Sequence, residues 1–272
     1  MQTKTLDVID KVLLEKKVKH MYRNVALFPD EPYHFEMGEQ LALKLGYSEQ
    51  ELTNIPRQAV DSFAGVGYHF GLADIRPGDR VLDLGSGSGM DLFIAANKVG
   101  PSGHVTGIDM TDEQLEKSRT LAAEAGFSNV TFVKGYIEDL PFGDDEFDVV
   151  ISNGVINLSP SKSKVFHEIH RVLRPGGRMA VSDIVTELMM PENITCNPTL
   201  WAACIGGAMQ QDEFFDLMEE AGLGRFQVIH NVNYGFISRS AQGASRSYGV
   251  KSFTMRGDKR SDHKMMKIWK RA

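Results

Sequence analysis

The stretch Arg80–Phe93, RVLDLGSGSGMDLF, follows a short apolar run with three glycines at alternate positions, Gly85, Gly87 and Gly89, before apolar residues return. Glycine loses more backbone freedom on folding than any other residue. Three in one turn mark a sharp bend that something approaches closely. The run before them predicts a buried strand, and the residues from Asp91 predict a helix.

Outward from this turn the alternation repeats. Strand HVTGIDM (104–110) precedes a helix over 112–126, and strand VTFVKG (130–135) precedes a loop. Strand FDVVISN (147–153) precedes a helix over 162–173 that RPGG stops, and strand RMAVSDI (178–184) follows. Strands alternating with helices of this length predict an α/β fold, a doubly wound and mostly parallel sheet. Upstream, helical spacing runs through 4–24, FPDEPYHF breaks it, and a second helix is expected over 36–45. Ser48 and Glu51 make a capping box, and AGVGYHFGLADIRPGD (64–79) reads as a connector. Downstream, 187–220 reads as helical, and FQVIHNVNYGFI (226–237) and VKSFTMR (250–256) as strands.

With 42% hydrophobic and 24% charged residues, the 272-residue chain has an ordinary globular composition. No apolar run nears the roughly eighteen residues that span a bilayer, and the first twenty residues lack a signal-peptide pattern. The two cysteines, Cys196 and Cys204, give no disulfide framework. A cytoplasmic protein without a membrane partner is expected. The net charge of −6 argues against nucleic acid as a partner. Residues 251–272 nevertheless hold eight Lys and Arg against Asp258 and Asp262. The KRSDHKMMKIWKRA part of this segment (259–272) reads as a solvated tail, the other reading being a contact for an anionic partner.

In doubly wound sheets, ligands bind beyond the carboxyl ends of the strands. LGSGSG sits there, and Asp109, twenty residues after Gly89, ends the second strand, where a carboxylate can accept ribose hydroxyls. A dinucleotide fingerprint would need a glycine at Met90, and no phosphate-loop motif occurs. Asp83 adds negative charge where a pyrophosphate would lie, which disfavours that ligand and suits one with an ammonium and a sulfonium. S-adenosylmethionine has both, plus a ribose. The candidates are Asp83, Gly85, Ser86, Gly87, Gly89 and Asp109, against the alternative of a turn without a ligand.

These motifs resemble the class I S-adenosylmethionine-dependent methyltransferases, and within them the arsenite methyltransferase family. The resembling pieces are GYSEQEL, VLDLGSGSGMDLFIAANKVGPSGHVTGIDMTDEQLEKSR, NVTFVKGYIEDLPF, FDVVISNGVINLSPSKSKVFHEIHRVLRPGGRMAVSDI and CIGGAM, covering most of 46–210. The resemblance implies a Rossmann-like seven-stranded sheet whose last strand is antiparallel. It implies that the glycine turn holds the methionine end, Met110 packs on adenine, Ile137 and Glu138 flank its edge, and Asn153 lines the sulfonium side. From the residues alone, Met110 and Ile137 fit a core equally well. A three-part division follows: a helical N-terminal cap (1–75), a cofactor-binding core (76–186) and a C-terminal substrate-side elaboration (187–272).

The arsenite family grips arsenic through thiolates at three places that read here Gly65-Val66-Gly67, Ser152-Asn153-Gly154 and Cys204. Only Cys204 keeps the sulfur, and a thiophilic ion needs two or three thiolates converging. The expectation is therefore methyl transfer to a small organic molecule by in-line displacement. The alternatives are arsenite methylation with a reduced thiol set, or cofactor binding without catalysis. Tyr33, His34, Tyr68 and His69 would line an acceptor pocket with Gly154 and Cys204, or else pack cap against core. His69 is the expected general base, because imidazole titrates near neutrality. No residue cluster has metal-ligand spacing, so no metal is expected. The acceptor atom and oligomeric state are not legible.

Overall fold

The computed structural model describes residues 11–195, 201, 205–237 and 239–260. The five strands expected around the glycine turn form: β1 (Arg80–Leu84), β2 (His104–Asp109), β3 (Val130–Lys134), β4 (Phe147–Asn153) and β5 (Leu173–Thr186). They pair in parallel in the order β3-β2-β1-β4-β5. The sheet continues through β8 (Lys251–Lys259) to β7 (Leu223–His230), with β8 antiparallel to both neighbours. The two-residue β6 (Met209–Gln210) adds an eighth strand to the seven implied by the resemblance, pairing with the end of β5.

Alternate strand residues feed two cores, as a sheet covered on both faces requires. Val81, Val105, Val149 and Ile151 pack on one side with α6 (Met90–Val99) and the N-terminal helices α2 (Gly38–Leu45), α3 (Glu49–Thr53) and α4 (Arg57–Asp61). Leu82, Leu84, Ile108 and Val150 pack on the other with α8 (Lys162–Val172) and α10 (Gln211–Glu220). Gly46 ends α2 in the left-handed conformation, φ 109°. Ser48 and Glu51 make the expected box, the Ser48 hydroxyl accepting the Glu51 N–H at 3.2 Å.

Several boundaries differ from the reading of the sequence. The first described helix, α1, spans Lys11–Leu27 and runs past the expected end at 24; the expected start lies outside the described residues. The 64–79 connector holds a one-turn helix, α5 (Phe70–Ala73), and Arg178 of β5 pins its end. The Arg178 guanidinium donates to the Ala73 and Asp74 carbonyls and pairs with Asp79 at 2.8 Å. RPGG does not separate helix from strand: Leu173 already pairs with Phe147, and the ladder resumes at Val149 with Arg178, so the prolyl-glycyl segment bulges out. Of 187–220, the described helices are only α9 (Glu192–Thr195) and α10. β7 starts three residues before the expected strand and stops at His230. Beyond it, Tyr234 and Phe236 turn inward onto the cluster of Val66, Ile184 and Ile205. Helix α11 (Arg239–Tyr248) was not anticipated, because RSAQGASRSY is almost wholly small and polar.

Candidate active site

The turn from β1 into α6 needs its glycines. Gly85, Gly87 and Gly89 have φ of 67°, 53° and 98°, which residues with a Cβ rarely adopt. A Cβ on Gly85 would also lie 2.5 Å from a Val155 methyl. The Gly85 and Ser86 N–H groups donate to the Ile108 carbonyl at 2.8 and 3.1 Å. Asp109 accepts from the N–H of Gly87 at 3.0 Å and of Thr111 at 2.8 Å. So braced, the turn forms one wall of a cavity of about 440 Å³, within the size range of small-molecule sites.

Asp83, Asp91 and Asp109 face this cavity from three elements. Burial, with the other two carboxylates alongside, pushes the Asp83 carboxyl well above the usual range. Burial also raises Asp109, against the lowering pull of its N–H donors. One Asp83 oxygen and the Ser86 hydroxyl are buried without a hydrogen-bond partner. A ligand bringing an ammonium and a sulfonium supplies the missing counter-charge, so this donor set fits S-adenosylmethionine. Met110, Ile137 and Glu138 line the part of the cavity beyond Asp109, and the Ser159 hydroxyl donates to the Glu138 carboxylate.

Asn153, at the end of β4, is a junction. Its carbonyl oxygen accepts the Val66 N–H at 2.7 Å, and its amide donates to the Gly67 carbonyl at 2.9 Å and to Asp91 at 3.0 Å. The Tyr47 hydroxyl donates to the other Asp91 oxygen at 2.6 Å. Tyr47 and Asp91 were missed from sequence. An acid in the first turn of the helix after a glycine turn is a signal that could have found Asp91. Nothing local marks Tyr47, which is 44 residues away from its partner.

Helix α1 roofs the cavity with Leu14, Glu15, Val18 and Tyr22. It is tied down by α7 (Asp112–Ala125), where Arg23 pairs with Glu113 at 2.8 Å and Gln114 donates to the Tyr22 carbonyl at 2.8 Å. Lys19, Glu15 and Tyr136 close a further triad at 2.6–2.9 Å, holding α1 to the loop after β3.

All ten residues expected at the cofactor line this one cavity: Asp83, Gly85, Ser86, Gly87, Gly89, Asp109, Met110, Ile137, Glu138 and Asn153. The expected acceptor residues do not gather in the same way. Gly154 lines the cavity, and a Cβ on it would lie 3.4 Å from Val66, so two of the three family thiol positions are neighbours here. Cys204 lies outside the described residues. Tyr33 stacks on Phe35 and donates to the Phe28 carbonyl, and half-buried His34 packs edge-on to Phe35. Tyr68 donates to Glu51 and packs on Tyr47. None of the three lines the cavity.

His69 requires a correction. It is 0% exposed, lies off the cavity, and has no partner at either ring nitrogen. Its ring packs 4.5 Å from Phe70, and burial lowers its pKa. The chain turns into α5 at this point and packs the imidazole inward, away from the cavity where a base was expected. Among the described residues, no group of three or more His, Cys, Asp or Glu is arranged to hold a metal ion. No described helix is long and apolar enough to cross a membrane.

A family model described as "Methyltransferase domain" matches residues 75–222. The chain is 42% identical over 185 residues to an arsenite methyltransferase of Halobacterium salinarum, covering 68% of this chain and 47% of that one. It is 38% identical over 113 residues to a demethylmenaquinone methyltransferase of Listeria monocytogenes, covering 41% and 47%. The chain thus spans about half the length of the curated relatives it matches. An arsenic (III) S-adenosylmethionine methyltransferase of Chlamydomonas reinhardtii superposes with a TM-score of 0.61 at 33% identity, over 83% of this chain and 74% of that one. Together with the glycine turn and its carboxylates, these matches show that the chain belongs to the methyltransferase-domain family, as a class I S-adenosylmethionine-dependent member related to the arsenite methyltransferases.

Proposed function

We propose that this chain transfers a methyl group from S-adenosylmethionine to a small organic molecule. The observation that carries the proposal is the cavity itself. Its carboxylate-rich end suits the cationic donor, and around Asn153 it continues into a wall of Phe63, Ala64, Gly65 and Val155 that carries no thiol. When bound, the cofactor supplies a sulfonium-activated methyl, displaced in line as the neutral thioether departs.

The chain's own residues supply placement and dryness. The glycine turn holds the methionine end, Asp109 the ribose, and Met110 and Ile137 the adenine. Helix α1 excludes water above them, so alignment supplies much of the acceleration. Asn153, fixed by five hydrogen bonds to Val66, Gly67, Asp91 and Tyr47, keeps the acceptor wall in register with the turn. With His69 sealed away, Asp91 is the group on this wall that can take a proton from an amine or acidic-carbon acceptor as the new bond forms.

Arsenite methylation is the second reading, favoured by the relatives' activities and by the contact between positions 66 and 154. Against it, those positions carry Val66 and Gly154, and the only two cysteines, Cys196 and Cys204, provide at most a pair of thiolates. The test is incubation with methyl-labelled cofactor and cell extract, followed by mass identification of the labelled product. An organic product supports the proposal. Methylated arsenic formed from arsenite and glutathione, and lost in Cys204→Ser, would replace it. Cofactor binding with no labelled product in either arm would identify a binding protein without transferase activity.

A further inference from the structure

Lys162 is a cation in an unfavourable place. It opens α8, where the helix dipole repels positive charge, and its side chain is buried. Burying an ammonium is costly unless partners compensate, so the surroundings should show what it holds. Its Nζ donates to the Ser159 carbonyl at 2.9 Å and lies 5.1 Å above the Trp201 ring. Three acids face it from three other elements: Asp183 of β5, Glu138 of the loop after β3, and Glu213 of α10.

All of these contacts except that of Glu213 bear on the loop 156–161. Trp201 donates its indole N–H to the Leu158 carbonyl at 3.1 Å. Asp183 accepts the Asn157 N–H at 3.0 Å. The Ser159 hydroxyl, whose carbonyl Lys162 holds, donates to Glu138. Leu158, Ser159 and Glu138 are cavity wall, whereas Lys162 is not. We propose that Lys162 is a positioning residue for cofactor binding, its ammonium locking the Ser159–Glu138 pair, and with it the adenine-side wall, in the binding geometry. The proposal rests on Glu138 belonging to the cofactor's wall.

Because the lock is a charge, it carries a signature that simple packing would not. Burial, against the pull of Asp183, Glu138 and Glu213, brings Lys162 down to about 8. Its ammonium therefore predominates at neutral pH and is lost as the solution becomes alkaline. Asp183, raised to about 6 by burial, titrates mostly below that window.

The experiment is calorimetric titration with S-adenosylhomocysteine between about pH 7 and 9 on the wild type, Lys162→Met and Lys162→Arg, each checked for folding by its thermal transition. Arginine keeps its charge throughout this range. The wild type should lose about tenfold more affinity than Lys162→Arg across the window, and Lys162→Met should be about tenfold weaker than wild type at pH 7. Parallel pH profiles for wild type and Lys162→Arg would overturn the proposal even if Lys162→Met failed to fold. So would a folded Lys162→Met that bound like the wild type. If the wild type took up no S-adenosylhomocysteine at any pH, the cofactor assignment would fall first, and this inference with it.

Discussion

Two glycine-bearing turns meet at Asn153, and they use glycine for different reasons. In Gly85–Gly89 each glycine is left-handed, and the turn lines a cavity. In Gly65–Gly67 neither glycine has a positive φ. What excludes a side chain there is crowding. A Cβ on Gly65 would fall 2.4 Å from the Phe63 ring, and one on Gly67 would fall 2.2 Å from the Asn231 amide and 2.7 Å from the Ser182 hydroxyl. The first turn is dictated by its own left-handed backbone. The second is dictated by residues as far as Thr254, 187 positions along the chain, brought in by the sheet.

The sharpest way to break this contrast is Gly85→Ala. The substitution forces a left-handed alanine whose Cβ collides with Val155 at the mouth of the turn. Affinity for S-adenosylhomocysteine should fall by about a hundredfold or more, the displaced turn losing several ligand contacts together. A calorimetric titration giving near wild-type affinity would show that the turn is not the cofactor's cradle.

Tyr47→Phe probes the junction between the two turns. Removing the hydroxyl leaves the Asn153 amide donating to buried Asp91 without its Tyr47 partner, at a cost of about 1–3 kcal/mol. If Asp91 takes the acceptor's proton, kcat should drop by about tenfold while cofactor affinity changes little. Loss confined to cofactor affinity would instead assign Asp91 to the donor side.

The contrast between the turns also explains what the sequence disclosed. The five strands around the glycine turn, the helices between them and Asp109 were legible because periodicity and spacing are local properties. All ten expected cofactor residues line one cavity because each lies in or just past a strand end, where the fold puts a ligand. The acceptor side was not legible in this way. Tyr33, His34, Tyr68 and His69 look chemically apt as neighbours in sequence, but side-chain direction there depends on α5, Arg178 and the packing of Tyr47. The sequence alone does not show that His69 points inward. Helix α11 was lost for the opposite reason, its small polar residues giving too little pattern to read.

Gly67→Ala tests the crowded turn. Its methyl must displace the Asn231 amide from the ladder it forms with Ser252 and Thr254. Overpacking of this kind costs about 1–3 kcal/mol. Thermal unfolding should shift accordingly, while cofactor affinity falls by less than in Gly85→Ala. Equal losses of affinity in the two variants would dissolve the distinction between a turn built for a ligand and one built by packing.

His69→Leu has the smallest expected effect and is the most direct test of the corrected role. A sealed imidazole off the cavity contributes no proton transfer, so turnover on the identified acceptor should stay within about twofold. Stability should respond through linkage. The folded-state pKa lies below the ordinary 6.5, because burial penalises the charged ring. As pH falls through about 6.5, the unfolded chain binds a proton there and the folded chain does not yet, so the wild type loses stability in that window. The loss ends once pH drops below the folded-state value, where both states are protonated. Leucine cannot titrate, so His69→Leu should show a shallower decline in Tm from neutral pH to about pH 5 than the wild type. A leucine variant that unfolded along the same pH profile would mean that His69 takes up its proton as readily in the fold as in the unfolded chain. A proton on that buried ring would then need a carboxylate to offset it, and Asp91, which lines the cavity, is the acid whose charge bears on it.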